Sequence, residues 1–210
     1  LPEGVTHPDT ISVLYGRGDG TFEPGVDHQV GHGPYMLALG DLNEDGRKDL
    51  AVANFQEFGD EHISLFIKDG PRSYTRIPSI TLPRIADRVV GVTSYANPGV
   101  TSLAVEDMDG DGHLDIIAVG FTNDVVYVLK GEGTGTFKLA RTYQGEKFGY
   151  GIRDVKPSDF NRDGIVDFVV TCYDSGDTYV LLGKGDLSFE HVWGHNIKDV
   201  AYHVNVGDFD

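Results

Sequence analysis

The sequence predicts an all-β chain built from repeated four-stranded antiparallel units, and three observations carry that prediction. An acidic nine-residue loop recurs along the chain, an alternating apolar segment closed by a glycine turn and an aromatic recurs between its copies, and no window of a dozen residues keeps a helical apolar period. Glycine, at 28 of 210 residues, supplies the turns that many short strands require.

The acidic loop reads Asp41-Leu42-Asn43-Glu44-Asp45-Gly46-Arg47-Lys48-Asp49, then Asp107-Met108-Asp109-Gly110-Asp111-Gly112-His113-Leu114-Asp115, then Asp159-Phe160-Asn161-Arg162-Asp163-Gly164-Ile165-Val166-Asp167. A fourth copy begins at Asp208-Phe209-Asp210. A strand-like stretch precedes each complete loop or the fourth start, as at Tyr35 to Leu39, Thr101 to Val105 and His203 to Val206. After each complete loop comes a short, mostly β-branched run: Leu50 to Ala53, Ile116 to Val119, or Phe168 to Thr171. The second recurring segment, Ile11 to Phe22, returns at Val126 to Phe137 and Thr178 to Phe189, with a weaker copy at Ile63 to Tyr74. Each unit therefore runs strand, acidic loop, strand, strand, glycine turn, strand, which is the content of one β-propeller blade.

In this combination the loop D-x-[DN]-x-D-G-x-x-D, its apolar strand and the V-x-V-L-x-G-x-G-x-G-x-F segment resemble the FG-GAP/VCBS repeat of the integrin α-like β-propellers. The resemblance covers about Ile11 to Asp210. It implies calcium in the loop between the first two strands of a blade, a secreted or cell-surface setting, and recognition of a glycan or protein partner. The expected blades are 35–80, 101–143 and 150–192, with partial blades at 11–30 and 201–210. A ring needs about four to eight blades, so the reading is part of a larger propeller of about seven, its remaining blades supplied by the same or another chain. A four-bladed ring is the alternative.

The loop chemistry also stands on its residues alone. A hard dication takes six to eight oxygens, and this loop offers side-chain oxygens at its positions 1, 3, 5 and 9 and a backbone carbonyl at 7. The expected ligands are Asp41, Asn43, Asp45, Arg47 and Asp49; Asp107, Asp109, Asp111, His113 and Asp115; and Asp159, Asn161, Asp163, Ile165 and Asp167, with Asp208 and Asp210 in a fourth loop. Position 7 varies among Arg47, His113 and Ile165, as it can if only its carbonyl serves. An EF-hand is excluded, because it needs an acidic position 12 between helices and position 12 here is Val52, Ala118 or Val170. Acidic β-turns without metal are the plain alternative, since Asp, Asn and Gly dominate turns; three copies of one ligand pattern weigh against it.

Composition narrows the partners. With 33 acidic and 17 basic side chains and a net charge of −16, the surface disfavours nucleic acid, whose binding depends on Lys and Arg. No apolar run is long enough for a membrane-spanning helix, and the first residues carry no signal-peptide pattern. The lone Cys172 lies in an apolar run and reads as a buried small hydrophobe. The glycines at 16, 18 and 20 and at 131, 133 and 135 lack the following helix of a phosphate loop, and no G-x-S-x-G or H-E-x-x-H occurs. The function expected is a non-catalytic, calcium-stabilised binding module; a propeller domain of a carbohydrate-active enzyme and a structural scaffold are the alternatives. Segments outside the repeat pattern nominate Phe55, Phe58, Tyr95, Tyr143, Phe148, Tyr150 and Tyr173 for ligand contact, with packing between blades as the competing role.

Overall fold

A computed structural model describes residues 9–55, 59–85, 97–144 and 148–207. Within it the strands form three four-stranded antiparallel sheets and one two-stranded sheet. The first full sheet runs in the order β3 (Pro34–Gly40), β4 (Asp49–Asn54), β5 (Ile63–Gly70) and β6 (Ser73–Ile80). The second is β7 (Val100–Glu106), β8 (Asp115–Gly120), β9 (Val125–Gly131) and β10 (Phe137–Tyr143). The third is β11 (Ile152–Ser158), β12 (Asp167–Cys172), β13 (Asp177–Gly183) and β14 (Phe189–Asn196). The pair β1 (Thr10–Val13) and β2 (Val26–Gln29) precedes them.

Burial explains the strand sequences. β4, β8 and β12 are the second strand of each sheet and are buried along their whole length, so they read as continuous apolar runs rather than alternating ones. The outer strand β10 is exposed at Lys138, Leu139, Arg141 and Thr142 and half-buried at Phe137, Ala140 and Tyr143, its alternation broken by a register shift between Leu139 and Arg141. Sheets pack face to face: Ala51, Ala53, Ile63 and Leu65 of the first share one core with Leu103, Ile116, Ala118 and Tyr127 of the second. Val126 and Val128 of the second sheet share another with Phe168, Val170, Leu181 and Phe189 of the third. The first strands β3, β7 and β11 lie side by side where the sheets converge. This is a β-propeller-like arrangement, with blades stacked around an axis lined by their first strands.

Each of these three inner strands begins with the same irregularity. The pairing skips one residue between Pro34 and Met36, between Val100 and Ser102, and between Ile152 and Asp154. Tyr35, Thr101 and Arg153 are thus the extra residues of equivalent β-bulges, and a bulge re-aims the side chain it carries. The expected strand at His203 to Val206 is not formed. Among the described residues no second strand lies beside it to share a ladder, and it is tied to the third sheet at Asp154 Oδ2, by the Val204 N–H at 3.1 Å and by His203 Nδ1 at 3.5 Å. No helix among the described residues is long and apolar enough to cross a membrane.

Candidate functional site

The three acidic loops join the first and second strands of each full sheet, and all three close in the same way. Asp49, Asp115 and Asp167, at position 9, are fully buried. One carboxylate oxygen of each accepts the position 2 amide, Leu42 at 2.8 Å, Met108 at 3.0 Å or Phe160 at 2.8 Å. The other accepts an amide of the third strand, Lys68 at 2.7 Å, Gly131 at 2.9 Å or Gly183 at 2.8 Å. Position 9 is therefore a latch that ties the loop to two strands, and it leaves further oxygen lone pairs facing the loop.

The rest of the loop wraps around position 1. Asp41 accepts the amides of Asp45 and Gly46 at 3.0 and 2.8 Å. Asp107 accepts Gly110 and Gly112, both at 2.9 Å, and Asp159 accepts Asp163 and Gly164 at 3.1 and 2.9 Å. The amide of position 7 returns to the position 5 carboxylate, at 3.0 Å for Arg47, 2.9 Å for His113 and 2.8 Å for Ile165. Glycine at position 6 has φ of +84° in Gly46, +91° in Gly112 and +84° in Gly164, with open space where a Cβ would stand. The requirement there is conformational, not steric.

Charge is concentrated by this wrapping. In the second loop, carboxylate oxygens of Asp107, Asp109 and Asp115 lie within 4.8 Å of one another. Burial first, and then the neighbouring carboxylates, push the Asp115 carboxyl above its ordinary range, with Asp109 and Asp111 as the neighbours. Asp49 is raised in the same way, with Asp45 and Asp41 beside it. The loops relieve repulsion between positions 3 and 5 differently. Asn43 donates to Asp45 at 2.9 Å and Asn161 to Asp163 at 2.8 Å. In the second loop, where both positions are Asp, the Lys130 ammonium bridges Asp109 and Asp111, 2.7 Å from the latter. Those contacts raise the Lys130 ammonium and lower Asp111. The loops also touch each other, since His113 pairs with Glu44 of the preceding loop. Asp208 and Asp210 lie outside the described residues.

The aromatic candidates part company in space. Phe58 and Tyr95 lie outside the described residues. Phe148 is buried edge-on against Tyr179, and Tyr143 packs on Phe189 while its hydroxyl accepts the Phe189 amide at 2.8 Å. Tyr150 is 52% exposed. Phe55 and Tyr173 instead join a cluster at the axis, at the opposite ends of the strands from the acidic loops. Phe55 is 6.2 Å from both Tyr35 and Phe121, Phe121 is 6.4 Å from Tyr173, and Tyr173 is 4.6 Å from Tyr202. Arg153 sits among them, its guanidinium 5.1 to 5.4 Å from the ring centres of Tyr35, Phe121, Tyr173 and Tyr202.

Tyr35, Phe121, Arg153 and Tyr202 are absent from the candidates that sequence nominated. A signal for one of them was there: Phe55, Phe121 and Tyr173 each follow directly on the buried second strand of their sheet, so they are one repeat position read three times. The bulges that aim Tyr35 and Arg153 are a property of strand pairing and leave no comparable trace in the chain.

Comparison with known proteins agrees with this geometry. The FG-GAP-like repeat pattern matches residues 41–118 and 107–170. Cartilage acidic protein 1 of Homo sapiens is 26% identical over 204 residues, an alignment covering 86% of this chain and 27% of that protein. The Mus musculus protein of the same name is 24% identical, with 86% and 28% covered. The chain thus spans little more than a quarter of the length of these relatives. Among solved structures, an Agrocybe aegerita lectin that recognises non-reducing terminal N-acetylglucosamine superimposes with a TM-score of 0.51 at 19% identity, over 86% of this chain and 45% of that one. A chain of the crystal structure of BBS1N in complex with ARL6DN superimposes with a TM-score of 0.50 at 15% identity, over 88% of this chain and 55% of that one. These structural likenesses establish the fold.

Proposed function

This chain belongs to the FG-GAP-like repeat family, and from that premise we propose that it is a calcium-stabilised, non-catalytic binding module acting outside the cell. The observation that carries the metal reading is the repeated loop geometry: a buried position 9 carboxylate latched to two strands, beside position 1 and position 3 oxygens gathered within 4.8 Å in the second loop. The donor set fits calcium. It is made of oxygens alone, as a hard cation prefers, and it is flexible enough for six to eight ligands, where magnesium demands a tighter octahedron. Asp107, Asp109, Asp111 and Asp115 with the His113 carbonyl would hold the ion in the second loop, and the corresponding residues would do so in the first and third. The ion would offset the carboxylate crowding that raises Asp49 and Asp115.

Calcium here is a structural element rather than a reagent. By joining loop and latch it would rigidify the end of each blade and so the surface the blades present. Calorimetric titration of metal-free protein with calcium, together with melting in excess chelator, tests this reading. Binding with a melting temperature several degrees lower in chelator supports it, and a melt indifferent to chelator overturns it.

For the ligand, the fold shared with a lectin makes glycans the first class to test, with a protein partner as the second. A glycan-array screen with and without calcium reads this directly. Further blades complete the ring in this reading. Tyr35, Leu37 and Leu39 on β3 are 44%, 48% and 55% exposed, whereas Thr101 and Leu103 at the same places on β7 are 2% and 3% exposed beneath the neighbouring blade. The mass of the native polypeptide tests whether additional blades come from the same chain.

A further inference from the structure

We propose that the Arg153 aromatic cluster at the mouth of the axis is a recognition site for an acidic sugar, with the guanidinium as the carboxylate anchor. The proposal rests on the binding-module reading and assigns it a place and a ligand class. The chain carries a net charge of −16, and half of its eight described arginines pair with an acid. Arg47, Arg72, Arg76 and Arg84 each lie on a carboxylate. Arg153 has no acidic partner within ion-pair distance among the described residues. It is enclosed by four aromatic rings, its Nη2 donates to the Tyr35 hydroxyl, and its buried Nε has no hydrogen-bond partner.

The neighbouring acid is already committed elsewhere. Asp154, next in the strand, is buried and accepts Ser102 Oγ at 2.7 Å, Lys156 Nζ at 2.8 Å and the Val204 amide at 3.1 Å. Burial alone would raise its carboxyl, yet the Lys156 and Ser102 bonds hold it below the ordinary value. The strand therefore sets an occupied anion beside an unoccupied cation. The backbone of Arg153 is held as well, because its carbonyl accepts Thr101 Oγ1 at 2.9 Å.

The rings define the rest of the ligand. Faces of Tyr and Phe suit the C–H surface of a pyranose, and an arginine's planar fork suits a carboxylate. Tyr35 and Tyr202, the rim of the cluster, are 44% and 47% exposed, so the cluster is open toward solvent on that side. The Tyr35 hydroxyl now holds the acceptor position that a sugar carboxylate would take. The equivalent bulge residues Tyr35 and Thr101 carry no charge, so the anchor is a feature of one repeat rather than of the repeat unit.

The experiment compares a glucuronate-containing oligosaccharide with its carboxyl-reduced, neutral counterpart by calorimetry, using the whole chain in calcium. Wild type is expected to bind the acidic form at least tenfold tighter, and Arg153→Gln to lose that preference while its melting temperature stays close to wild type. Titration with the acidic form is also expected to shift the Arg153 Nε–H resonance. Equal binding of the two forms, undiminished binding by Arg153→Gln, or an Nε–H resonance that does not move overturns the proposal. Should Arg153→Gln unfold, Arg153→Lys and Tyr173→Ala take its place, the first expected to weaken the acidic form selectively and the second to weaken both. Failure of both oligosaccharides alongside a hit elsewhere on a glycan array overturns the axial site and leaves the binding-module reading standing; no glycan or protein ligand at all overturns both.

Discussion

Replacing Asp115 by alanine separates the two jobs assigned to position 9. In chelator only the latch is lost. The two amides left behind, Met108 and Gly131, are bonded at 3.0 and 2.9 Å and lie in a buried setting. Hydrogen bonds to a charged acceptor contribute about 1.5–3 kcal/mol each. Against this stands relief of a carboxylate whose ionised form burial disfavours, since the Asp115 carboxyl is raised. The net loss is then about 2–4 kcal/mol, or ~5–15 °C in melting temperature for a chain of this size. In calcium the variant loses the ion's contribution too, which at a hundredfold excess over its dissociation constant is about 3 kcal/mol. Thermal melts of wild type and Asp115→Ala in both conditions are the assay. The destabilisation should be larger in calcium than in chelator. Equal losses in the two would refute a metal role for position 9, and no loss in chelator would refute the latch.

Three other outcomes follow from the same geometry. Lys130→Leu, which places at this position the residue found at Leu182 of the third unit, should widen the calcium-dependent rise in melting temperature, because the ammonium bridging Asp109 and Asp111 no longer competes with the ion; a reduced rise on differential scanning fluorimetry would contradict the competition. Gly164→Ala should cost about 1–2 kcal/mol by chemical denaturation, since φ is +84° with nothing near the added Cβ, so that strain alone is felt. His62 is buried, its Nδ1 accepting the Leu82 amide at 2.8 Å and its Nε2 bonded to Asn97 at 2.7 Å, and burial lowers its pKa below the ordinary 6.5. The unfolded chain therefore takes up the proton first, so stability should fall as pH drops below about 6.5, and His62→Gln should flatten that slope in denaturant titrations across pH 5–7.

Much of the fold is legible along the chain for local reasons. A strand buried on both faces must be apolar throughout, so Leu50 to Ala53, Ile116 to Val119 and Phe168 to Thr171 declare themselves without reference to their neighbours. A loop that returns its backbone to one carboxylate needs glycine at the left-handed position and acids at fixed spacing, so the three acidic loops are equally plain. Lys130 is a different matter. It lies near the end of β9, and nothing in its local sequence connects it with Asp109 and Asp111; the pairing of β8 with β9 carries it across to the loop.

The repeat, its strands, its turns and its oxygen-rich loops were determined by the sequence itself, because each depends on the identity of residues close together in the chain. Tertiary structure alone decided that the position 9 aspartates are latches, since their second partner, an amide on the third strand, is defined only once the sheet is paired. It also decided where Arg153 stands. Its four rings come from three different blades and the following segment, and it is the convergence of inner strands on one axis, with a bulge at the start of each, that gathers them around a single cation.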